Sequence, residues 1–316
     1  MPLFLYHILF SVLTFGHDRA GSEGAIAHFT VSDSISIEVQ AYYDNIGLID
    51  YYGARTLSPV CEGKKCYVVE IEFYWDLLGR YHHFDTLPGK GLTKLDHIPF
   101  TQSDYSRLDT LLRNPNSLLA SYAREELVKK NRSSTIDGYT GATALELKKS
   151  IVDGAVYSCF ALWHIVHGPV VDTLREVSIS MFTKALVQKM MSRSDPEINY
   201  FLIENFTDED FNSYLPEVLK SIRDGKGYYP KNAIERIPDD LLCGSLSQAF
   251  FAAFYPRLDY FAKVALLESL NPKDLSEALK NTISKDVQDR DSYKSELISA
   301  LLYQDRITSI SGVSPL

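Results

Sequence analysis

HFTVSDSISIEVQAYY, residues 28 to 43, alternates polar and apolar side chains, and YVVEIEFYW, residues 67 to 75, does the same. Because successive side chains of a strand point to opposite faces, this period of two predicts strands with one buried and one exposed face. Turn signals such as Asp44-Asn45, Leu87-Pro88-Gly89 and Lys90-Gly91 separate the apolar runs. We therefore expect strands and turns over residues 28 to 90.

The pattern changes to a helical one at residue 101, where apolar side chains begin to recur every three or four positions. A further helix is predicted over residues 143 to 167, ended by Gly168-Pro169, and everything after about residue 172 also has helical spacing. The sequence therefore predicts an α+β domain over residues 28 to 170 and an all-α domain over residues 171 to 316.

The helical part contains a repeated pattern, in which apolar residues surround a glutamate and a polar turn follows. It occurs in FLIENFTDEDF (201–211), NAIERIPDDLL (232–242) and ALLESLNPKDL (265–275), which places Glu204, Glu235 and Glu268 in register, 31 and 33 residues apart. Such periods are typical of stacked helical hairpins, because one hairpin cannot bury its apolar face alone. Residues 175 to 305 resemble a short, divergent HEAT-type array, which would offer a docking surface. A non-repetitive helical bundle is the alternative.

The composition is that of a globular, acidic chain. Its 316 residues suggest two domains, and the net charge of −9 argues against nucleic acid as a main partner, because phosphate binding needs a basic face. The first fifteen residues are almost wholly apolar, too short to span a bilayer comfortably, and similar to the core of a secretory signal. Residues 1 to 27 are therefore predicted to be a signal peptide, and the protein to be periplasmic or secreted. A leader that is retained would keep it near a membrane; a buried N-terminal helix or strand is the alternative.

Two of the four cysteines, Cys61 and Cys66, flank the turn-like segment CEGKKC. A local disulfide across this turn is plausible in an oxidising compartment, and two free thiols are the alternative. The pair alone is weak support for zinc, because no second pair has ligand spacing.

The heptapeptide DGYTGAT, residues 137 to 143, precedes a long amphipathic stretch. Thr143 and Glu146 fit a capping box, so one interpretation is an ordinary helix start with a turn at Gly141. That interpretation does not explain Asp137, Thr140 or the small residues before Thr143. A phosphate esterified to the Thr143 hydroxyl would lie at a helix N-terminus, where free N–H groups and the helix dipole favour an anion.

The segment resembles the flavinylation motif of covalent FMN-binding domains, Asp-x-x-Ser/Thr-Gly-Ala-Ser/Thr, over about residues 137 to 160. The resemblance implies that a flavin transferase, using FAD and magnesium, attaches FMN through its phosphate to Thr143. Asp137, Thr140, Gly141 and Ala142 would be the recognised motif, and Tyr139 occupies a free position that is often aliphatic in the family. The resemblance further implies a flavoprotein that relays electrons between redox partners, since the sequence contains no dinucleotide-binding glycine fingerprint and no hydrolase signature.

Residues that could border an isoalloxazine ring are Tyr74, Trp75 and His97, because flavin sites are mainly apolar and aromatic with a few polar groups. His82 and His83 are expected on opposite faces of a strand, unable to enter one site unless the backbone turns. A metal site of His82, Asp85 and His97 is an alternative without ligand spacing to support it. The aromatic stripe that includes Trp163 and His167 is expected to be helix core.

Overall fold

The computed structural model describes residues 25–32, 35–62, 65–94, 97–123, 149–193, 195–288 and 292–308. The chain divides into two compact units between Phe182 and Thr183. The first unit contains the β-sheet and the second is helical, so the predicted order of an α+β region followed by an all-α region is confirmed.

In the part of the first unit that the structure describes, the sheet has five antiparallel strands in the order in which they follow along the chain. They are β1 (Ala25–Ser32), β2 (Ile35–Tyr43), β3 (Ile49–Glu62), β4 (Lys65–Trp75) and β5 (Tyr81–Thr86). Gly47 adopts a φ of 78° in the β2–β3 turn, where Asp44 accepts the amides of Ile46 and Leu48. In the β3–β4 hairpin the backbone of Cys61 lies directly opposite that of Cys66, a register compatible with the predicted disulfide.

One face of the sheet forms the core of this unit. Every second residue of the central strands is buried there: Ile37, Val39, Ala41, Tyr52, Ala54, Ile71, Phe73 and Trp75. Among the described residues of this unit, three helices accompany the sheet, α1 (Gln102–Leu112), α2 (Val156–Val166) and α3 (Val170–Ser180), with a short 3-10 turn at Leu118–Ser121. The indole N–H of Trp75 donates to the carbonyl of Val166 in α2, 3.1 Å away, which ties the sheet to that helix.

The helix predicted over residues 143 to 167 is interrupted within its described part. Lys149 and Ser150 have helical backbone, but a turn follows and α2 begins only at Val156. The amide of Ala155 donates to the carbonyl of Val152, and Gly154 adopts a φ of 74°. Asp-Gly is a turn dipeptide, and glycine occupies the left-handed region without a steric penalty. This local turn chemistry overrides the apolar periodicity.

The first unit extends beyond the sequence boundary at residue 170, because α3 is anchored to the sheet. The Ser178 hydroxyl donates to the carbonyl of Leu77 over 2.6 Å and lies 2.7 Å from the Tyr52 hydroxyl. Since its single proton goes to Leu77, Ser178 accepts from Tyr52. Arg175 also donates to the carbonyl of Leu78. These contacts between distant parts of the chain give no local signal in the sequence.

The second unit consists of helices with short connections. They are α4 (Lys184–Ser192), α5 (Pro196–Asn205), α6 (Asp208–Asp224), α7 (Tyr229–Arg236), α8 (Asp239–Leu242), α9 (Ser245–Phe254), α10 (Tyr260–Ser269), α11 (Glu277–Ile283) and α12 (Ser292–Thr308). Short 3-10 turns lie at Tyr255–Arg257, Pro272–Asp274 and Ser284–Gln288. No helix among the described residues is long and apolar enough to cross a membrane.

The repeated sequence pattern corresponds to repeated local structure. Glu204, Glu235 and Glu268 each occupy the last position but one of a helix, in α5, α7 and α10. An apolar residue with extended backbone ends each of these helices, and a short connection leads to the next helix or 3-10 turn. Helix α7 packs against α5 and α10, while α9 packs against α6 and α11. The apolar faces thus form one continuous core for this unit.

Candidate functional site

The proposed flavinylation motif lies outside the described residues. Asp137, Thr140, Gly141, Ala142 and Thr143 all fall in the stretch between residues 123 and 149 that is not described. The attachment site at Thr143 therefore remains a prediction from the sequence.

The structure separates two of the three residues predicted to border a flavin ring. Trp75 is fully buried in the core, whereas its neighbour Tyr74 lies on the opposite, outer face of the sheet. His97 is exposed in the connection between β5 and α1, with a φ of 61°. Because Trp75 and Tyr74 lie on opposite faces of the sheet, they cannot line the same ring site.

The strand register arranges the outer face of the sheet in rows that run across the strands. One row pairs Tyr42 with Tyr51. The next row contains Gln40, Gly53, Tyr74 and His83, and the row beyond it contains Glu38, Arg55, Glu72 and Asp85. An aromatic zone and a charged zone therefore meet on this face, with Gly53 between them.

The aromatic side chains of this face hold one another in fixed orientations. Tyr42 stacks on Tyr51 with centroids 4.6 Å apart, and Tyr74 stacks on His83 at 4.3 Å. Tyr42 and Tyr74 meet over Gly53 with centroids 6.1 Å apart and ring planes inclined by 59°. A Cβ atom on Gly53 would lie 2.7 Å from the Tyr42 ring and 3.1 Å from the Tyr74 ring. Glycine is thus required here because the two rings occupy the space above its backbone.

The charged row carries more acid than base. Arg55 forms an ion pair with Glu70, which lies on β4 two residues before Glu72. The guanidinium of Arg55 lowers the pKa of the Glu70 carboxyl. Lys90 lies 3.5 Å from the same carboxylate. Glu72 accepts a hydrogen bond from the Tyr74 hydroxyl at 3.2 Å. With Arg55 engaged by Glu70, the row retains the negative charges of Glu38, Glu72 and Asp85.

His82 and His83 do not lie on opposite faces, contrary to the expectation from strand alternation. Tyr74 pairs with His83 but Trp75 pairs with Tyr81, so His82 is an extra residue in a β-bulge. The bulge brings both imidazoles together, with their Nδ1 atoms 2.7 Å apart. Burial lowers the pKa of His83, and the neighbouring His82 lowers it further.

The structure also bears on the predicted metal site and on the aromatic stripe of α2. Within the described residues no group of three His, Cys, Asp or Glu side chains is close enough to hold a metal ion, so the site of His82, Asp85 and His97 has no structural support. The stripe on α2 is only partly core: Trp163 is buried and donates to the carbonyl of Asn114, whereas His167, just after the helix, is half-buried and bonds the carbonyl of Leu112.

A shallow groove of about 370 Å³ crosses the outer face at the junction of the aromatic and charged rows. Its lining comprises Glu38, Gln40, Tyr42, Gly53, Ala54, Arg55, Leu57, Glu72 and Tyr74. Sequence reasoning found only Tyr74 among them. The alternation that identified the strands also places every second residue outside, and a glycine within such a strand is a signal for close contact above the backbone.

Comparison of the chain with protein-family models, with curated proteins and with solved structures finds no match.

Proposed function

We propose that this protein is an exported electron-transfer flavoprotein that carries FMN covalently on Thr143. The observation that carries the proposal is the heptapeptide Asp137 to Thr143, which matches the flavinylation motif at each of its defined positions. In the attachment step the Thr143 hydroxyl attacks the FMN phosphorus of FAD and loses its proton. The bond from that phosphorus to the bridging oxygen breaks, AMP leaves, and no electrons are exchanged.

The proposal is limited to the attachment site and the relay role. Trp75 is buried in the core and Tyr74 lies on the outer face of the sheet, so these two residues do not fit a single ring pocket. We therefore assign no residue to the isoalloxazine. When bound, FMN would supply one- and two-electron chemistry, and the helical second unit, as a divergent HEAT-type array, would offer a docking face to a redox partner.

Intact-mass spectrometry after co-expression with a flavin transferase tests the proposal. We expect a mass increase of one FMN less one water, together with flavin fluorescence that survives denaturation. Thr143→Ala should abolish the adduct, whereas Thr135→Ala, a threonine just upstream of the motif, should retain it. An unmodified mass for the wild-type chain under conditions that flavinylate a known acceptor would refute covalent attachment.

The second candidate is a non-catalytic scaffold whose helical unit binds a partner. It is favoured by large apolar side chains exposed on the second unit, including Phe261, whose ring centroid lies 5.4 Å from that of Tyr228 and 5.6 Å from that of Tyr260. In this case Thr143 is only a helix cap. The protein would be colourless, and Thr143→Ala would lower the free energy of unfolding by about 1 kcal/mol.

A further inference from the structure

We propose that the groove on the outer face of the sheet binds an alkylammonium ion, with the cationic head against Tyr42 and Tyr74 and close to the carboxylates of Glu38 and Glu72. This site is independent of the flavin proposal, since all of its residues are described and none belongs to the motif.

The shape of the aromatic corner favours a compact cation over a flat ring. The ring centroids of Tyr42 and Tyr74 are 6.1 Å apart and their ring planes are inclined by 59°. The ring planes of Tyr51 and Tyr74 are inclined by 66°, an edge-to-face arrangement. A flat ligand sandwiched between two rings needs parallel walls, which this pair does not provide. Both rings border the groove, and an aromatic face attracts an ammonium group because it presents the negative lobe of its quadrupole.

The charge of the groove agrees with this ligand. Glu38 and Glu72 line it, and the one cation in its lining, Arg55, is held by Glu70. The Tyr74 hydroxyl donates to Glu72, so that carboxylate is fixed beside the ring. An anionic ligand would meet two carboxylates, whereas an ammonium ion gains from both the rings and the acids.

The walls of the groove are held in place by contacts within the protein. Tyr42 is held by its stack on Tyr51, and Tyr74 by its stack on His83 and its bond to Glu72. The rings also cover Gly53, which stabilises a strand that glycine would otherwise weaken. This structural role accounts for the position of the rings, and the two carboxylates lie opposite Arg55 in the neighbouring row. A preorganised site loses little conformational entropy on binding.

Choline and its neutral isostere 3,3-dimethyl-1-butanol separate charge recognition from simple apolar contact. Each is titrated into the full-length protein while the amide resonance of Gly53 is followed by NMR. We expect choline to shift this resonance saturably and to bind at least about fivefold more tightly than the isostere, the factor that about 1 kcal/mol of cation–π attraction supplies. Equal binding of the two compounds, no saturable binding of choline, or equal binding of a neutral hexose would overturn the proposal.

Variants locate the site. Glu72→Gln keeps the shape and should weaken choline binding severalfold, and Tyr42→Leu should abolish the preference over the isostere. Tyr43→Leu is the matched control, because Tyr43 is the next residue of β2 and does not line the groove. If Tyr42→Leu unfolds, Glu72→Gln alone decides: unchanged discrimination between choline and isostere would contradict the site.

The source of the ammonium group is distinguished by a short peptide that carries trimethyl-lysine. Tighter binding of this peptide than of choline would identify the ligand as a basic side chain of a partner protein, and the reverse would identify a small soluble cation. Because the test uses the chain without FMN, its failure would leave the attachment at Thr143 untouched, and absence of an adduct would leave this site untouched.

Discussion

The two faces of the sheet use similar residues for different purposes. Tyr52 and Trp75 on the inner face are fully buried, and their polar atoms bond Ser178 and Val166. Their chain neighbours Tyr51 and Tyr74 lie on the outer face and contact other rings, a carboxylate and solvent. An aromatic residue in this sheet is therefore structural or available for binding according to the parity of its position, rather than its type.

The largest difference in stability between the two faces is expected for the variants Trp75→Ala and Tyr74→Ala. Loss of the Trp75 ring leaves a cavity and an unpaired Val166 carbonyl, so we expect the free energy of unfolding to fall by about 3–5 kcal/mol. Loss of the Tyr74 ring removes only partly exposed stacking contacts and should cost about 1 kcal/mol. Urea denaturation of both variants measures the difference, and equal losses would contradict the assignment of the faces.

The hydroxyl groups give a smaller contrast. Tyr52→Phe removes a buried hydrogen bond to Ser178 and should destabilise by about 1 kcal/mol at pH 7, whereas Tyr51→Phe should change little. Burial also raises the pKa of Tyr52 above that of an unfolded tyrosine. The contribution of Tyr52 to the free energy of unfolding is thus complete below pH ~10. It declines as the pH rises further, by at most about 1.4 kcal/mol per pH unit.

Denaturation at several alkaline pH values therefore checks the sign of this effect. The wild-type protein should lose stability more steeply above pH ~10 than Tyr52→Phe, because only the wild-type unfolded state gains by ionising this residue. Parallel curves for the two proteins would show that Tyr52 is not buried as described.

On the outer face, Tyr74→Ala should also change the titration of His83. The Tyr74 ring stacks on this imidazole, and burial is the main cause of its lowered pKa. Removal of the ring exposes the imidazole to water, so the pKa of His83 should rise toward the usual value. NMR titration of the histidine resonances measures this; a pKa that stays low would assign the shift to His82 instead.

The smallest effect is expected for Arg55→Ala. Arg55 pairs with Glu70, but 57% of its side chain is exposed, so water and salt screen the interaction. The stability should change less than in any other variant above, and the difference should shrink further at high salt. A large loss would show that Arg55 organises the charged row.

Much of the sheet could be predicted because its signals are local. The alternation of residues 28 to 43 and 67 to 75 identifies the strands, and the register of the polar residues follows once neighbouring strands are paired. The repeat marked by Glu204, Glu235 and Glu268 was visible for the same reason, since each copy carries its own helix end. The groove was missed because Tyr42, Gly53 and Tyr74 come from three strands and have no common motif.

By itself, the sequence determined the order of a strand-rich region followed by a helical region, and it supplied the motif that makes Thr143 a candidate for flavin attachment. Only the tertiary structure decided which aromatic residues are exposed, where α3 belongs, and that a bulge brings His82 against His83. The physical reason is that periodicity is encoded between residues close in the chain. The pairing of Tyr52 with Ser178, or the meeting of Tyr42 and Tyr74 over Gly53, depends on how distant segments pack.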